Sequence, residues 1–143
     1  GKNALEWALE FGNIELIDLI YRNNATKSKE IKKNIGHSSL IKSIIQNNIS
    51  DLKLLLKAGA DANGQDEGTK HSVLHYACVI GNIKAIQVLI ENGANINIQN
   101  IKGRTPLFIA RQMQQYEAEK VLLSLGAKDD ENSKPVSYLN DEK

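Results

Sequence analysis

Leu5, Leu40, Leu74 and Leu107 recur at steps of 35, 34 and 33 residues, and the same grammar follows each of them. A chain that restarts one pattern at a nearly constant interval is constrained to build from stacked copies of a small unit. The four leucines close the triplets Asn3-Ala4-Leu5, Ser38-Ser39-Leu40, Ser72-Val73-Leu74 and Thr105-Pro106-Leu107. Seven residues after each leucine come Gly12-Asn13-Ile14, Asn47-Asn48-Ile49, Gly81-Asn82-Ile83 and Gln114-Gln115-Tyr116. A second apolar stretch follows, as Leu19-Ile20-Tyr21, Leu54-Leu55-Leu56, Val88-Leu89-Ile90 and Val121-Leu122-Leu123. The units close with Asn24-Ala25, Gly59-Ala60, Gly93-Ala94 and Gly126-Ala127.

Each choice has a local reason. Thr105 is a good N-cap and Pro106 is favoured at a first helical position, so a short helix starts there, with Ser38 and Ser72 as the expected equivalents. Gly12 and Gly81 stand where the chain reverses between two helices, and Gly59, Gly93 and Gly126 stand just past the second helix, where a left-handed residue is usual. Asn24 and Asn47 replace glycine at two of these points, and Asn is the side chain that best tolerates that conformation. Gln114 departs from the rule. One helix pair cannot bury its apolar face alone, so the units must stack, and the end units should carry polar outer faces. Glu119 stands where Ile17, Leu52 and Ile86 stand in the other units, and Gln114, Gln115 and Lys120 add polarity, so the fourth unit reads as a C-terminal cap. The first unit instead offers Trp7, Leu9, Leu16 and Ile17, which calls for a preceding element in a longer protein.

The stretches Gly103–Leu107 (G-x-T-P-L), Leu74–Ala77 (L-H-x-A) and Gly59–Asn63 (G-A-D-x-N) resemble the ankyrin repeat, over nearly the whole chain. The resemblance implies an all-α, ankyrin-type solenoid of four stacked helix-turn-helix repeats with extended finger loops. The repeats fall at about 1–35, 36–69, 70–102 and 103–128, followed by a polar tail at 129–143. The first three units lack the Thr-Pro pair, and the first two fingers are longer than the usual repeat allows. In the tail, Val136, Tyr138 and Leu139 either fold back onto the cap or form a short recognition motif.

Composition narrows function by exclusion. Lys plus Arg number 18 against 17 Asp plus Glu, so no global charge excess directs the chain to nucleic acid or an anionic membrane. The lone Cys78 can form no internal disulfide and belongs to no zinc-spaced pair, which points to a reducing, cytoplasmic setting. No apolar run approaches the roughly 20 residues of a membrane span. Phosphate loops, nucleophile elbows, H-E-x-x-H pairs and EF-hand spacings are missing, so no catalytic residue, metal or cofactor is assigned.

His75 and Cys78, three apart on one helix, could make a dyad or half a metal site, but two ligands alone rarely hold zinc. The resemblance makes His75 a hydrogen-bonding residue between loops and Cys78 the stand-in for a small buried Ala. Asn63 and Asn97 hold a position that ankyrin proteins can present for hydroxylation, with structural hydrogen bonding the better explanation. Lys27, Lys29, Lys32 and Lys33 in the first finger read as a solvated loop or a surface for an acidic partner, while the second finger carries Asp66 and Glu67.

By the same resemblance, a partner protein or peptide lies along the finger tips and first helices. The candidate contact residues are Phe11, Ile35, His37, Ile45, His71, Val79, Ile80, Ile101, Lys102, Arg104 and Met113. Stacking would align Phe11, Ile45, Val79, Ile80 and Met113 into one apolar stripe; the competing reading packs them between neighbouring first helices. The expected function is a monomeric interaction module of a scaffold, adaptor or effector, or else the regulatory segment of an enzyme whose catalytic domain lies outside these residues.

Overall fold

The computed structural model describes residues 37–135, and the helices in it come in pairs. Helix α1 (His37–Ile45) pairs with α2 (Ile49–Lys57), α3 (Val73–Ile80) with α4 (Ile83–Glu91), and α5 (Pro106–Gln112) with α6 (Tyr116–Ser124). A single 3-10 turn, Glu131–Ser133, follows. The described residues contain no strand, only one antiparallel bridge between Gln65 and Ser72, and none of their helices is long and apolar enough to cross a membrane. The first expected unit, residues 1–35, and the tail residues Val136, Tyr138 and Leu139 lie outside the described residues, as do Phe11, Ile35 and the Lys27–Lys33 cluster.

The turn within each pair is the same object three times. Asn47, Gly81 and Gln114 take left-handed φ values of 54°, 77° and 57°. The next residue then donates its amide to the carbonyl five back, Asn48 to Ser43, Asn82 to Ala77 and Gln115 to Ala110, at 2.8 to 3.0 Å. Gln114 therefore obeys the rule it was expected to break. Asn48 and Asn82 also cap the second helices, accepting from the Asp51 and Ala85 amides. Gln115 makes no such cap and instead reaches out, donating from Nε2 to the Val79 carbonyl of the preceding repeat at 3.0 Å.

Thr105 and Ser72 cap their helices as expected, each accepting the amide three residues on. Ser38 does not: α1 already begins at His37, so Ser38 sits inside its first turn. Past the second helices, Gly59, Gly93 and Gly126 are left-handed, with φ between 91° and 109°. The following Ala60, Ala94 and Ala127 each donate at 3.0 Å to a carbonyl of the last turn, which closes the helix in the manner of a Schellman motif.

The chain divides into two units, Gly1–Asp61 and Ala62–Lys143, with the boundary inside the second repeat. In the first, Leu40 and Ile44 of α1 bury against Leu52 and Leu55 of α2, all at most 2% exposed. Each such side chain contributes about 1.5–3 kcal/mol of burial. In the second, α3 packs on α5, α4 on α6, and the turn Glu131–Ser133 on α5. Leu74, Ile86, Leu89, Leu107 and Leu122 are fully buried there, so the leucine that sets the repeat register is also what fills the core.

Counting from the register leucines shows where the last repeat differs. Ile44, Cys78 and Arg111 hold one position, and Leu52, Ile86 and Glu119 hold its partner position. The first two pairs are buried apolar contacts, whereas the third is an ion pair, Arg111 Nε to Glu119 Oε2 at 2.7 Å. Arg111 is buried too, and its Nη1 donates to Asp129 at 2.8 Å and to both oxygens of Ser133 at 3.2 Å. The expected polar cap is thus one guanidinium enclosed by the segment after the last helix.

Candidate protein-docking surface

Within the second unit, the loops 62–71 and 95–104 form two fingers bound to each other. The Ile101 amide donates to Thr69 O at 2.9 Å, and Gln65 Nε2 bridges Lys70 O and Gln99 O. Asn63 donates to Gly93 O and accepts the Asn95 amide, while Asn97 accepts the Lys128 amide. These asparagines have the inter-repeat hydrogen bonds that the sequence favoured over a modification role. Asn100 is buried and accepts both the Lys102 and Arg104 amides, which fixes the tip of the second finger and leaves the Ile101 and Lys102 side chains in solvent.

His75 joins these fingers to the helices. Its Nδ1 accepts the Ser72 amide at 3.0 Å, which obliges Nε2 to carry the proton donated to Arg104 O at 2.8 Å. The ring is fully buried, and desolvation lowers its pKa to about 4. Cys78 is fully buried as well, and burial pushes its thiol up. With both imidazole nitrogens engaged and the thiol protonated and covered, neither residue is placed for catalysis or metal binding.

The expected contact residues fall into two groups. Ile45 at the end of α1 is 63% exposed, and in the other unit Ile80, Met113 and Ile101 are 42%, 48% and 67% exposed, with Val79 and Lys102 also in solvent. Val79, Ile80 and Met113 are thus covered over part of their surface and open to solvent over the rest. The second group is partly committed to the interior. His37 is half-buried at the start of α1. His71 is half-buried with edge-to-face contacts to His75 and Tyr76, and Tyr76 donates its hydroxyl to Asp66. Arg104 is half-buried with its guanidinium 4.7 Å above the Phe108 ring, a cation–π contact that holds the group at the finger base.

Tyr116, Leu123 and Leu125 are exposed apolar residues that the sequence did not single out as contacts, and Tyr116 is the one next to this face. Tyr116, 60% exposed, begins α6 at the position of the half-buried Ile49 and Ile83. The change from Ile to Tyr in the last unit was the available sign. Gln115, whose side chain is bonded to Val79 O, ties the end of α3 to the turn between α5 and α6, and the exposed Val79, Ile80, Met113 and Tyr116 all lie within two residues of one end of that bond.

Residues 33–133, more than two thirds of the chain, match the family described as ankyrin repeats in three copies. The chain belongs to the ankyrin repeat family. The human ASB11 ankyrin repeat domain superposes with a TM-score of 0.57 at 35% identity, covering 62% of this chain and 40% of that one. Human neurogenic locus notch homolog protein 1 is 34% identical over 110 residues, 77% of this chain and 4% of its own length. A Danio rerio palmitoyltransferase, ZDHHC17, is 41% identical over 64 residues, 45% of this chain and 10% of that protein. The chain thus spans a tenth or less of these two relatives. Ankyrin repeats are in general protein-interaction modules and are not themselves catalytic, and the enzyme among the relatives is matched over a small part of its length.

Proposed function

We propose that this ankyrin segment docks a partner protein or peptide on the face formed by its finger tips and first helices. The observation that carries the reading is the exposure of Val79, Ile80, Met113 and Ile101, large apolar side chains held in solvent by a backbone whose own core is complete. Lys102 and Arg104 edge that apolar area, an arrangement of apolar centre and polar rim that suits an interface. The partner-free chain is taken as a monomer.

The test is Ile80→Asp beside Arg104→Glu, with partner capture and thermal melting read on the same samples. Both variants are expected to lose the partner; the melting temperature should move little for Ile80→Asp, at an exposed position, and somewhat more for Arg104→Glu, which also gives up the contact with Phe108. Loss of fold in both variants would remove the assignment. A second reading, that the segment regulates an enzyme whose catalytic domain lies outside these residues, draws on the similarity to a palmitoyltransferase. Under it, the full-length protein carrying Ile80→Asp would change activity without any change in substrate contacts.

A further inference from the structure

The charge on the 95–104 finger and the two inner helices beside it is one-sided. Helix α3 (VLHYACVI) and helix α5 (PLFIARQ) contain no carboxylate, so nothing acidic stands beside Ile80 or Met113 on either inner helix. On the fingers, Lys70 and Lys102 are exposed, and the Arg104 guanidinium carbon stands 4.7 Å from the centre of the Phe108 ring. The ring face takes up none of the five N–H donors of a guanidinium in a conventional hydrogen bond, and a fork of those donors is what receives a carboxylate. The acids of the fingers, Asp66 and Glu67, both belong to the 62–71 finger, where Asp66 accepts from the Tyr76 and Thr69 hydroxyls; the 95–104 finger has none. The two fingers together carry Lys70, Lys102 and Arg104 against Asp66 and Glu67, and Lys102 and Arg104 face no carboxylate on their own finger.

Resting on the docking face proposed above, we infer that its occupant is an extended acidic peptide segment carrying a bulky aliphatic or aromatic anchor. The anchor sits on the area around Ile80, Met113 and Tyr116, and the acidic side chains meet Lys102 and Arg104. The spacing follows from the helix. Nine residues, most of them helical, separate Arg104 from Met113, a span of roughly 13 Å at 1.5 Å per residue. An extended chain covers that distance in about four residues. The segment therefore places its acidic cluster about four positions from its anchor. Complementary charge sets the orientation and the encounter rate, and the apolar anchor supplies the residence time.

The experiment is selection of a random peptide library displayed on phage against the full 143-residue chain, with Ile80→Asp, Met113→Glu and Lys102→Glu/Arg104→Glu as parallel targets. The wild-type chain is expected to enrich peptides with two or more Asp or Glu residues about four positions from a large apolar residue. Synthetic copies of these should bind about tenfold more weakly to the Lys102→Glu/Arg104→Glu double variant and lose affinity as salt is raised. Enriched peptides that are neutral or basic, yet lost on Ile80→Asp or Met113→Glu, overturn this inference and leave the docking face standing. Peptides indifferent to all the variants, or no enrichment at all, overturn the inference together with the face. Preference of the wild-type chain for a labelled oligonucleotide over every selected peptide would overturn it too.

Discussion

Two consecutive repeats of this chain fill the same slot in opposite ways. In the repeat built on α3 and α4 the slot holds Cys78 and Ile86, fully buried and apolar. In the repeat built on α5 and α6 it holds Arg111 and Glu119, joined at 2.7 Å, with Asp129 and Ser133 completing the shell of the guanidinium. The backbone around the slot barely registers the change, since both turns are left-handed at the same position and both make the same closing hydrogen bond. What differs is the cover. Packing of α5 on α3 and α6 on α4 encloses the first slot, while the second is enclosed on its other side by the non-helical stretch ending in the Glu131–Ser133 turn. A charged residue in that position draws irregular chain around itself, because a buried guanidinium must have acceptors on every donor. Desolvation alone would lower the Arg111 pKa, but the hydrogen bonds to Asp129 and Glu119 outweigh it and keep the charge.

The largest expected effect comes from breaking that arrangement on one side. Arg111→Cys, which copies the preceding repeat at one residue only, removes the ion pair to Glu119 and the hydrogen bonds to Asp129 and Ser133, and should cost about 3 kcal/mol in urea unfolding. Arg111→Cys/Glu119→Ile copies both residues and should recover more than half of that loss. Equal destabilisation in the single and double variants would mean that the cover, not the ion pair, determines the stability of the last repeat.

The contrast also marks where the sequence was readable. Period and turn chemistry are local, so the helices, Ser72 and Thr105 as caps, and the left-handed glycines could be placed from a few neighbouring residues. Ser38 misled because its triplet matches the pattern while the helix starts one residue earlier, at His37. Gln114 looked like an exception because a glutamine is a poor left-handed residue, yet it adopts that conformation, and the residue after it makes a long-range bond to Val79 O that no local pattern announces. The cap was legible through Glu119 but not through Arg111, since its partners Asp129 and Ser133 lie in an aperiodic stretch 18 and 22 residues away. On the docking face, periodicity could name Val79, Ile80 and Met113 without saying whether they are covered, because residues at a helix end face either a neighbour or solvent depending on the stacking distance.

Acid separates the two repeats next. His75 belongs to the apolar repeat, and its folded pKa is lowered to about 4 from an ordinary value near 6.5. The unfolded chain therefore binds more protons than the folded one between those values, and stability falls as pH drops through that window. Between pH 7.5 and pH 5 the loss should be about 2 kcal/mol by denaturant unfolding. Asp129 in the cap is held below its ordinary value of 3.8 by Arg111, so its contribution persists through that window and is lost only as pH falls further. His75→Gln should flatten the slope between pH 7.5 and pH 5 while leaving the loss below pH 4. A slope unchanged in that variant would mean that His75 is not the group responsible.

The smallest effect tests whether the last turn is held by its own residue or by its neighbour. Gly81 has φ 77° and Gln114 has φ 57° at the same position, and a non-glycine side chain there carries a conformational cost of about 1 kcal/mol. Gln114→Gly removes that cost but gives the unfolded chain more freedom to lose, so the net gain should be no more than about 0.5 kcal/mol. Gln115→Ala, which removes the bond to Val79 O while leaving the turn residue in place, should cost about 1 kcal/mol. Because Gly81 lies directly beneath the Gln115 side chain, the two repeats meet at this point, and the pair of variants separates strain within a turn from coupling between turns. If Gln114→Gly rescues the Gln115→Ala loss in full, the inter-repeat bond serves only to hold the strained turn. If the two effects simply add, the bond is an independent tie between repeats, and the apolar side chains grouped around it owe their fixed positions to that tie.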